Sequence, residues 1–339
     1  MSHLTSVVLF MMLCLSTAKS GAQDSTRYAE LDAYALAVPD FYSNSVDTLV
    51  AYLIIPARDE NEKARLIFSW IAQHLKYDDR AINSNRTSDF SVQAVLKRKK
   101  AVCLGYASLF EAMCTEANLN ARTIVGYSKH DKRGKKLKNP DHAWNAVETD
   151  GRWLLCDVTW GSGYAEPRKN GKVKTVKFFN NFWFDTQPNV FVLTHLPDVQ
   201  RWQLLSSPVT KKQFENFPLV YSAFFQCGFT VDTIYHKLLN ISKYEVTEVL
   251  TTKHPWHVVE APATGRLLKG QLVNIVISSP VYDKLVVING NNKPVFIEFI
   301  GHTAAVPVVP TGNKLSIYVV DNDKPRKAEG ILIYKVVRQ

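Results

Sequence analysis

From Cys103 onward the large side chains recur at helical spacing, through Tyr106, Ala107, Phe110, Met113, Cys114 and Ala117. This pattern predicts a helix that opens on a cysteine. Upstream, Ala64, Ile67, Phe68, Ile71 and Leu75 keep the same spacing as far as Tyr77, behind a helix-start box at Asp59-x-x-Glu62. Residues 28–56 read as a helical lead-in interrupted by Pro39 and Pro56. Beyond Asp141 the period changes to two. His142–Thr149 and Arg152–Trp160 are alternating, aromatic-rich runs around Asp150-Gly151, which predicts a hairpin with a type I′ turn. A turn that tight pairs Thr149 with Arg152, puts Trp144 opposite Asp157 and His142 opposite Thr159, and leaves His142 and Asp157 as diagonal neighbours on one face. Another hairpin is expected at Asn170-Gly171, packing aromatics at Phe178–Phe184, and a short helix after Thr210. From about residue 246 short β-branched runs alternate with Asn289-Gly290, Thr311-Gly312 and Asp321-Asn322-Asp323, which predicts an antiparallel sandwich of immunoglobulin-like kind.

The chain thus reads as α+β. A signal peptide (1–22) and a lead-in (23–58) precede a core (59–210) in which the cysteine-bearing helix packs on an antiparallel sheet. A connector (211–245) and the sandwich (246–339) follow. At 339 residues and 46% hydrophobic content there is ample material for two cores. Val7–Leu15 is apolar but too short to span a bilayer, and Ala18, Ser20, Gly21 and Ala22 follow it. This is the pattern of a secretory signal cut near Ser20 or Ala22, so a secreted or periplasmic location is expected. Cys14 lacks the small preceding residue of a lipoprotein signal, and no later stretch is long and apolar enough to cross a membrane.

Once the signal is removed, Cys103, Cys114, Cys156 and Cys227 remain, too few for a disulfide scaffold. Without Cys-x-x-Cys or a calcium-type acidic loop, no metal or cofactor is expected. The formal charge of +10 would suit an anionic surface or polymer, although a basic soluble protein is the plainer reading. Basic loops at Lys97–Lys100 and Lys129–Lys138 favour acidic substrates if they rim a site. They carry no nucleic-acid motif.

The candidate chemistry lies in the core. A sulfur in the first helical turn sits beside unpaired N–H groups and the positive end of the dipole, both of which favour an anion. Gly105 leaves room for a close approach to the backbone. A hairpin-placed Asp157 would hold one ring nitrogen of His142 and leave the other to take a thiol proton. His130 has no such carboxylate. The backbone N–H of Cys103 is the natural oxyanion donor, with Trp70 or Tyr77 as side-chain alternatives. Trp144 shares the face of His142 and could wall a substrate groove, while Trp160 is assigned to packing.

Cys103-x-Gly105-x-Ala107, His142-Ala143-Trp144-Asn145 on a strand and Asp157-Val158-Thr159-Trp160 after the next strand together resemble the transglutaminase-like superfamily. Phe68-Ser69-Trp70-Ile71 and Lys76-Tyr77-Asp78 resemble its preceding helix. His195-Leu196-Pro197-Asp198 and Trp202-Gln203-Leu204-Leu205 resemble the kyphoscoliosis-peptidase-like branch. The likeness covers about residues 45–210. It implies a papain/transglutaminase-like core and cysteine acyl transfer on peptide or protein amides, with Cys103 as nucleophile, His142 as base and Asp157 orienting it. Water as acceptor would make a peptidase or deamidase, which is preferred. An amine acceptor would make a cross-linking transglutaminase, and a non-catalytic binding or cell-surface assembly protein is the remaining alternative.

Overall fold

A computed structural model describes residues 26–84, 89–129, 134, 136–169, 171–321 and 327–338. The proposed signal peptide, His130 and Asn170 lie outside these residues. The chain divides into two compact units. One comprises Met1–Tyr127, Pro140–Pro188 and Pro197–Leu204; the other comprises Ser128–Asn139, Asn189–Leu196 and Leu205–Gln339.

In the first unit the lead-in is part of the core rather than a separate segment. Helices α1 (residues 26–36) and α2 (Val46–Leu53) bury Leu31, Ala35, Leu49, Val50 and Leu53. Helix α3 (Glu60–His74) starts at Asp59, whose carboxylate accepts the Glu62 N–H at 2.7 Å, as the start box predicts. Polar contacts lock α1 to α3. Arg27 Nε donates to Glu62 Oε1 at 2.8 Å, and Arg65 Nε donates to Asp32 Oδ1 at 2.8 Å. The Arg65 guanidinium also lies 4.8 Å from the Tyr28 ring centroid and 5.1 Å from that of Phe184.

Strand β1 (Lys76–Tyr77), α4 (Asp79–Ser84), α5 (Val92–Arg98) and β2 (Lys100–Ala101) lead into α6 (Cys103–Glu116). The parallel pair β1–β2 sets Tyr77 beside Ala101, two residues before the cysteine. Helix α6 buries Tyr106, Leu109, Phe110 and Met113 completely, as its periodicity predicts. It lies against an antiparallel sheet ordered β5-β4-β3, formed by β3 (Asn120–Ser128), β4 (His142–Thr149) and β5 (Arg152–Cys156).

The β4–β5 turn has the predicted form, with φ of 51° at Asp150 and 75° at Gly151. The expected register holds from Thr149↔Arg152 to Asn145↔Cys156 and then stops. The pairs Trp144–Asp157 and His142–Thr159 do not form. Asp157 donates its N–H to Trp183 O at 2.9 Å, and its carboxylate caps a new helix, α7 (Val158–Gly161), by accepting the Trp160 N–H at 3.0 Å. An acceptor side chain at the strand end thus turns the chain into a helix before the ladder can continue. A second hairpin, β6 (Gly163–Pro167) and β7 (Val173–Lys177), follows as a two-stranded sheet of its own.

The second unit contains short helices at Lys211–Asn216, Ser222–Gln226 and Tyr235–Asn240, the first closed by a capping box from Thr210 and Gln213. Its remainder is a β-sandwich. One sheet orders His257–Glu260, Val273–Ser278 and Thr303–Val308. The other orders Arg266–Leu268, Ala328–Val337, Lys314–Val320, Lys284–Asn289 and Val295–Glu298. Ile275, Ile277, Leu285, Leu315, Ile317, Val319 and Tyr334 form its core. The pairing is antiparallel except between Arg266–Leu268 and the end of Ala328–Val337. No helix among the described residues is long and apolar enough to cross a membrane.

Candidate active site

Cys103 is the first residue of α6 and is half-buried. The N–H groups of Gly105 and Tyr106 turn back to the Val102 carbonyl at 2.9 and 3.2 Å, and Val102 has no side-chain acceptor with which to cap the turn. By helix geometry, the N–H groups of Cys103 and Leu104 are then left to point out of the helix end. Gly105 does meet a close approach, but from the core. A Cβ there would stand 2.6 Å from Ala101 Cβ and 3.1 Å from Val95 Cγ2. The glycine seats α6 against β2 and α5.

His142, the first residue of β4, is 7% exposed, and Asp157 is fully buried. His142 Nε2 lies 2.7 Å from Asp157 Oδ2, while Asp157 Oδ1 holds the Trp160 N–H. The carboxylate is therefore fixed from both sides. Burial works against a charge on the His142 ring. The Asp157 carboxylate and its hydrogen bond overcome it, and after them a hydrogen bond with the Cys103 side chain, raising the pKa to about 10. Because Nε2 faces Asp157, Nδ1 is the ring nitrogen that remains for the thiol.

Two indoles flank this ring. The Trp144 and Trp160 ring centroids lie 6.0 and 5.6 Å from that of His142. Trp160, assigned to packing from strand alternation, reaches His142 because α7 replaces the strand that would have turned it away. Trp183 also lies against Trp160, edge-on at 4.9 Å.

The two oxyanion alternatives fare differently. Trp70 is buried in α3 and stacks on His74 at 4.8 Å. Tyr77 is held by β1–β2 beside the start of α6, with its ring centroid 6.4 Å from that of Tyr106, one turn beyond Cys103. Burial first, then the charges of Cys103, Tyr106 and Asp157, push the Tyr77 pKa well above the ordinary tyrosine range, so it stays a proton donor.

Among the described residues the four cysteines are all free thiols. Burial pushes Cys114 and Cys156 well up and Cys227 to about 12. Among the basic loops, Lys99 pairs with Asp40, and Lys100 with Asp78 at 3.0 Å. Lys129 is buried, its amine on the Phe214 and Glu215 carbonyls.

Asn145, which motif reasoning passed over, ties the sheet to the cysteine helix. It is fully buried, and its Nδ2 donates to the Ala107 carbonyl of α6 at 3.0 Å. An amide inside an apolar strand was the available signal, since a buried amide needs a partner.

Residues 47–158 match the family model described as the transglutaminase-like superfamily. Human kyphoscoliosis peptidase is 38% identical over 216 residues, covering 63% of this chain and 32% of that protein. Hillarin of Drosophila melanogaster is 29% identical over 222 residues, covering 60% of this chain and 26% of its own length. A solved TGase crystal structure aligns at 22% identity over 44% of this chain and 40% of that one, with a TM-score of 0.28. The chain spans about a third or less of the length of these curated relatives. Its first unit, a helix that opens on Cys103 and packs on the strand carrying His142, carries a domain of the transglutaminase-like superfamily.

Proposed function

We propose that the protein is a cysteine-dependent acyl-transfer enzyme acting on peptide or protein amides, with Cys103 as nucleophile, His142 as general base and Asp157 as the residue that orients it. The observation that carries this reading is the buried His142–Asp157 pair, Nε2 to Oδ2 at 2.7 Å, with the Cys103 side chain among the groups that raise the pKa of the same ring. His142, whose raised pKa favours the charged ring, holds the thiol proton on Nδ1 as the sulfur adds to the amide carbon. The resulting oxyanion is met by the Cys103 N–H and the Tyr77 hydroxyl. The intermediate collapses to a thioester as His142 returns the proton to the leaving amine. Water, deprotonated by the same ring, then releases the acid and restores the thiol. Hydrolysis is the favoured outcome, since water is always available as the acceptor. Trp160, which is part-exposed, keeps bulk water from the ring and offers a wall for the substrate, whereas Trp144, expected to wall the groove, is buried and packs behind the ring.

The test uses casein, with and without a labelled primary amine, and reads new N-termini, released ammonia and incorporated amine. The wild-type protein should give at least one of these products, and Cys103→Ala none. Equal product from both would reject Cys103 as nucleophile. Amine incorporation in place of hydrolysis would make the enzyme a transglutaminase.

A further inference from the structure

The β6–β7 arm has two edges, and they are treated differently. In an antiparallel pair, residues that exchange hydrogen bonds alternate with residues whose N–H and C=O face outward. The Phe178 N–H donates to Ser162 O at 3.1 Å and the Arg168 N–H to Lys172 O at 2.7 Å, which fixes the phase. Val173 and Thr175 of β7 therefore face outward on one side, and Gly163, Ala165 and Pro167 of β6 on the other. Helix α4 occupies the β7 edge. Asn83 exchanges two hydrogen bonds with the Val173 backbone, at 2.8 and 2.9 Å, and Asp79 accepts the Thr175 N–H at 3.2 Å. Among the described residues no strand lies beside the β6 edge, and the side chains of its middle residues are exposed.

The charge on the arm is one-sided. Exposed Arg168, Lys169, Lys172 and Lys174 stand against the single acid Glu166. Lys177 is turned inward, its amine on the Ala72 and Leu75 carbonyls at the end of α3. Tyr164 and Phe178 add apolar surface, 53% and 55% exposed. The arm is rooted at the site. Helix α7 alone separates Asp157 from Ser162, and Ser162 Oγ lies 3.4 Å from the hydroxyl of Tyr106, one turn beyond Cys103.

We propose that the outer edge of β6 takes up an extended acidic polypeptide segment as an added strand, and that this docking selects the protein substrate. Main-chain hydrogen bonds to Ala165 and to the carbonyls of Gly163 and Pro167 supply the strand pairing, and the arm's cations supply the preference for acidic residues. The proposal rests on the acyl-transfer reading, because it assigns the substrate of that site.

The experiment uses the full mature chain carrying Cys103→Ala, so that binding is read without turnover. Fluorescence anisotropy measures a labelled peptide of alternating Val and Glu, with the Val and Lys peptide as control. The Glu peptide should bind, more weakly as salt rises, and the Lys peptide should not. Two further variants separate charge from backbone. Reversing Arg168, Lys169, Lys172 and Lys174 to Glu removes the attraction. Ala165→Pro removes only an outward N–H, leaving both the ladder and the charges in place. Each should weaken binding by roughly tenfold or more with an unchanged melting temperature. Loss on charge reversal alone, with Ala165→Pro binding like its parent or heparin displacing the peptide equally from both, would overturn strand addition. Binding unaffected by either variant, or shared by the Lys peptide, would overturn the docking surface altogether. Failure of the acyl-transfer reading shows elsewhere, as an unreactive Cys103 in a chain whose peptide binding is intact.

Discussion

Replacing Asp157 by Asn keeps the shape of the side chain and removes its charge. In the folded protein Asp157, and after it the Cys103 side chain, overcome the burial of His142 and raise the ring pKa from 6.5 to about 10, whereas the unfolded chain titrates near the lower value. Between these values the folded state holds more protons than the unfolded one. The ion pair's contribution is therefore fully present below the lower value and is lost as pH rises through the upper one. One such proton gives a slope of up to about 1.4 kcal/mol per pH unit, or roughly 2–3 kcal/mol between pH 7 and pH 9. Lys177 runs the other way. Burial lowers its pKa from 10.5 to about 8, so its penalty is relieved as pH rises. Both proteins contain Lys177, so the difference between them cancels it. Urea unfolding followed by circular dichroism at several pH values should show the wild type losing about 2–3 kcal/mol more than Asp157→Asn over that interval. Parallel curves would refute the ion pair. The same variant should be nearly inactive. An amide donating to Nε2 forces the ring proton onto Nδ1, where it blocks the base, a loss on the order of a thousand- to ten-thousand-fold.

Tyr77→Phe should lower kcat by roughly a hundredfold or more with little change in KM or melting temperature, because the hydroxyl is used only once the oxyanion forms. An unchanged kcat would leave the backbone as the sole donor. Gly105→Ala should cost about 1–3 kcal/mol in urea unfolding, since the new methyl meets Ala101 Cβ at 2.6 Å. Wild-type stability would mean that α6 can shift away from β2. Asn145→Ala should cost about 1–3 kcal/mol by leaving the sheet–helix tether unmade, and a neutral result would show the Ala107 contact to be dispensable. Expression of the full chain in a secreting host should yield a product beginning after Ser20 or Ala22, read by N-terminal sequencing. Retention of Met1 would argue against a cleaved signal.

The elements that carry the site were legible because their signals are local. Helix α6 follows from the spacing of Tyr106, Phe110 and Met113, and the β4–β5 hairpin from Asp150-Gly151, whose positive φ values only a primed turn accommodates. The His142–Asp157 pairing was also legible, although the register used to reach it does not extend that far. Strand alternation cannot foresee that Asp157 caps α7. Once it does, the ladder stops, the carboxylate reaches His142 from a helix end, and Trp160 swings onto the ring. Gly105 illustrates a second limit. The need for a small residue was visible, but whether Ala101 or a substrate fills the space is a tertiary matter. The lead-in read as separate because Arg27–Glu62 and Arg65–Asp32 join residues more than thirty positions apart, beyond the reach of any periodicity.

The central claim, an activated Cys103–His142 pair, is tested most directly by limiting iodoacetamide near neutral pH, read by intact mass and peptide mapping on wild type and His142→Ala. Cys114, Cys156 and Cys227 are buried with their thiols pushed up, so they should label slowly in both proteins. The account predicts rapid single labelling at Cys103 that His142→Ala loses. Slow labelling at Cys103, or rapid labelling indifferent to His142, would contradict it.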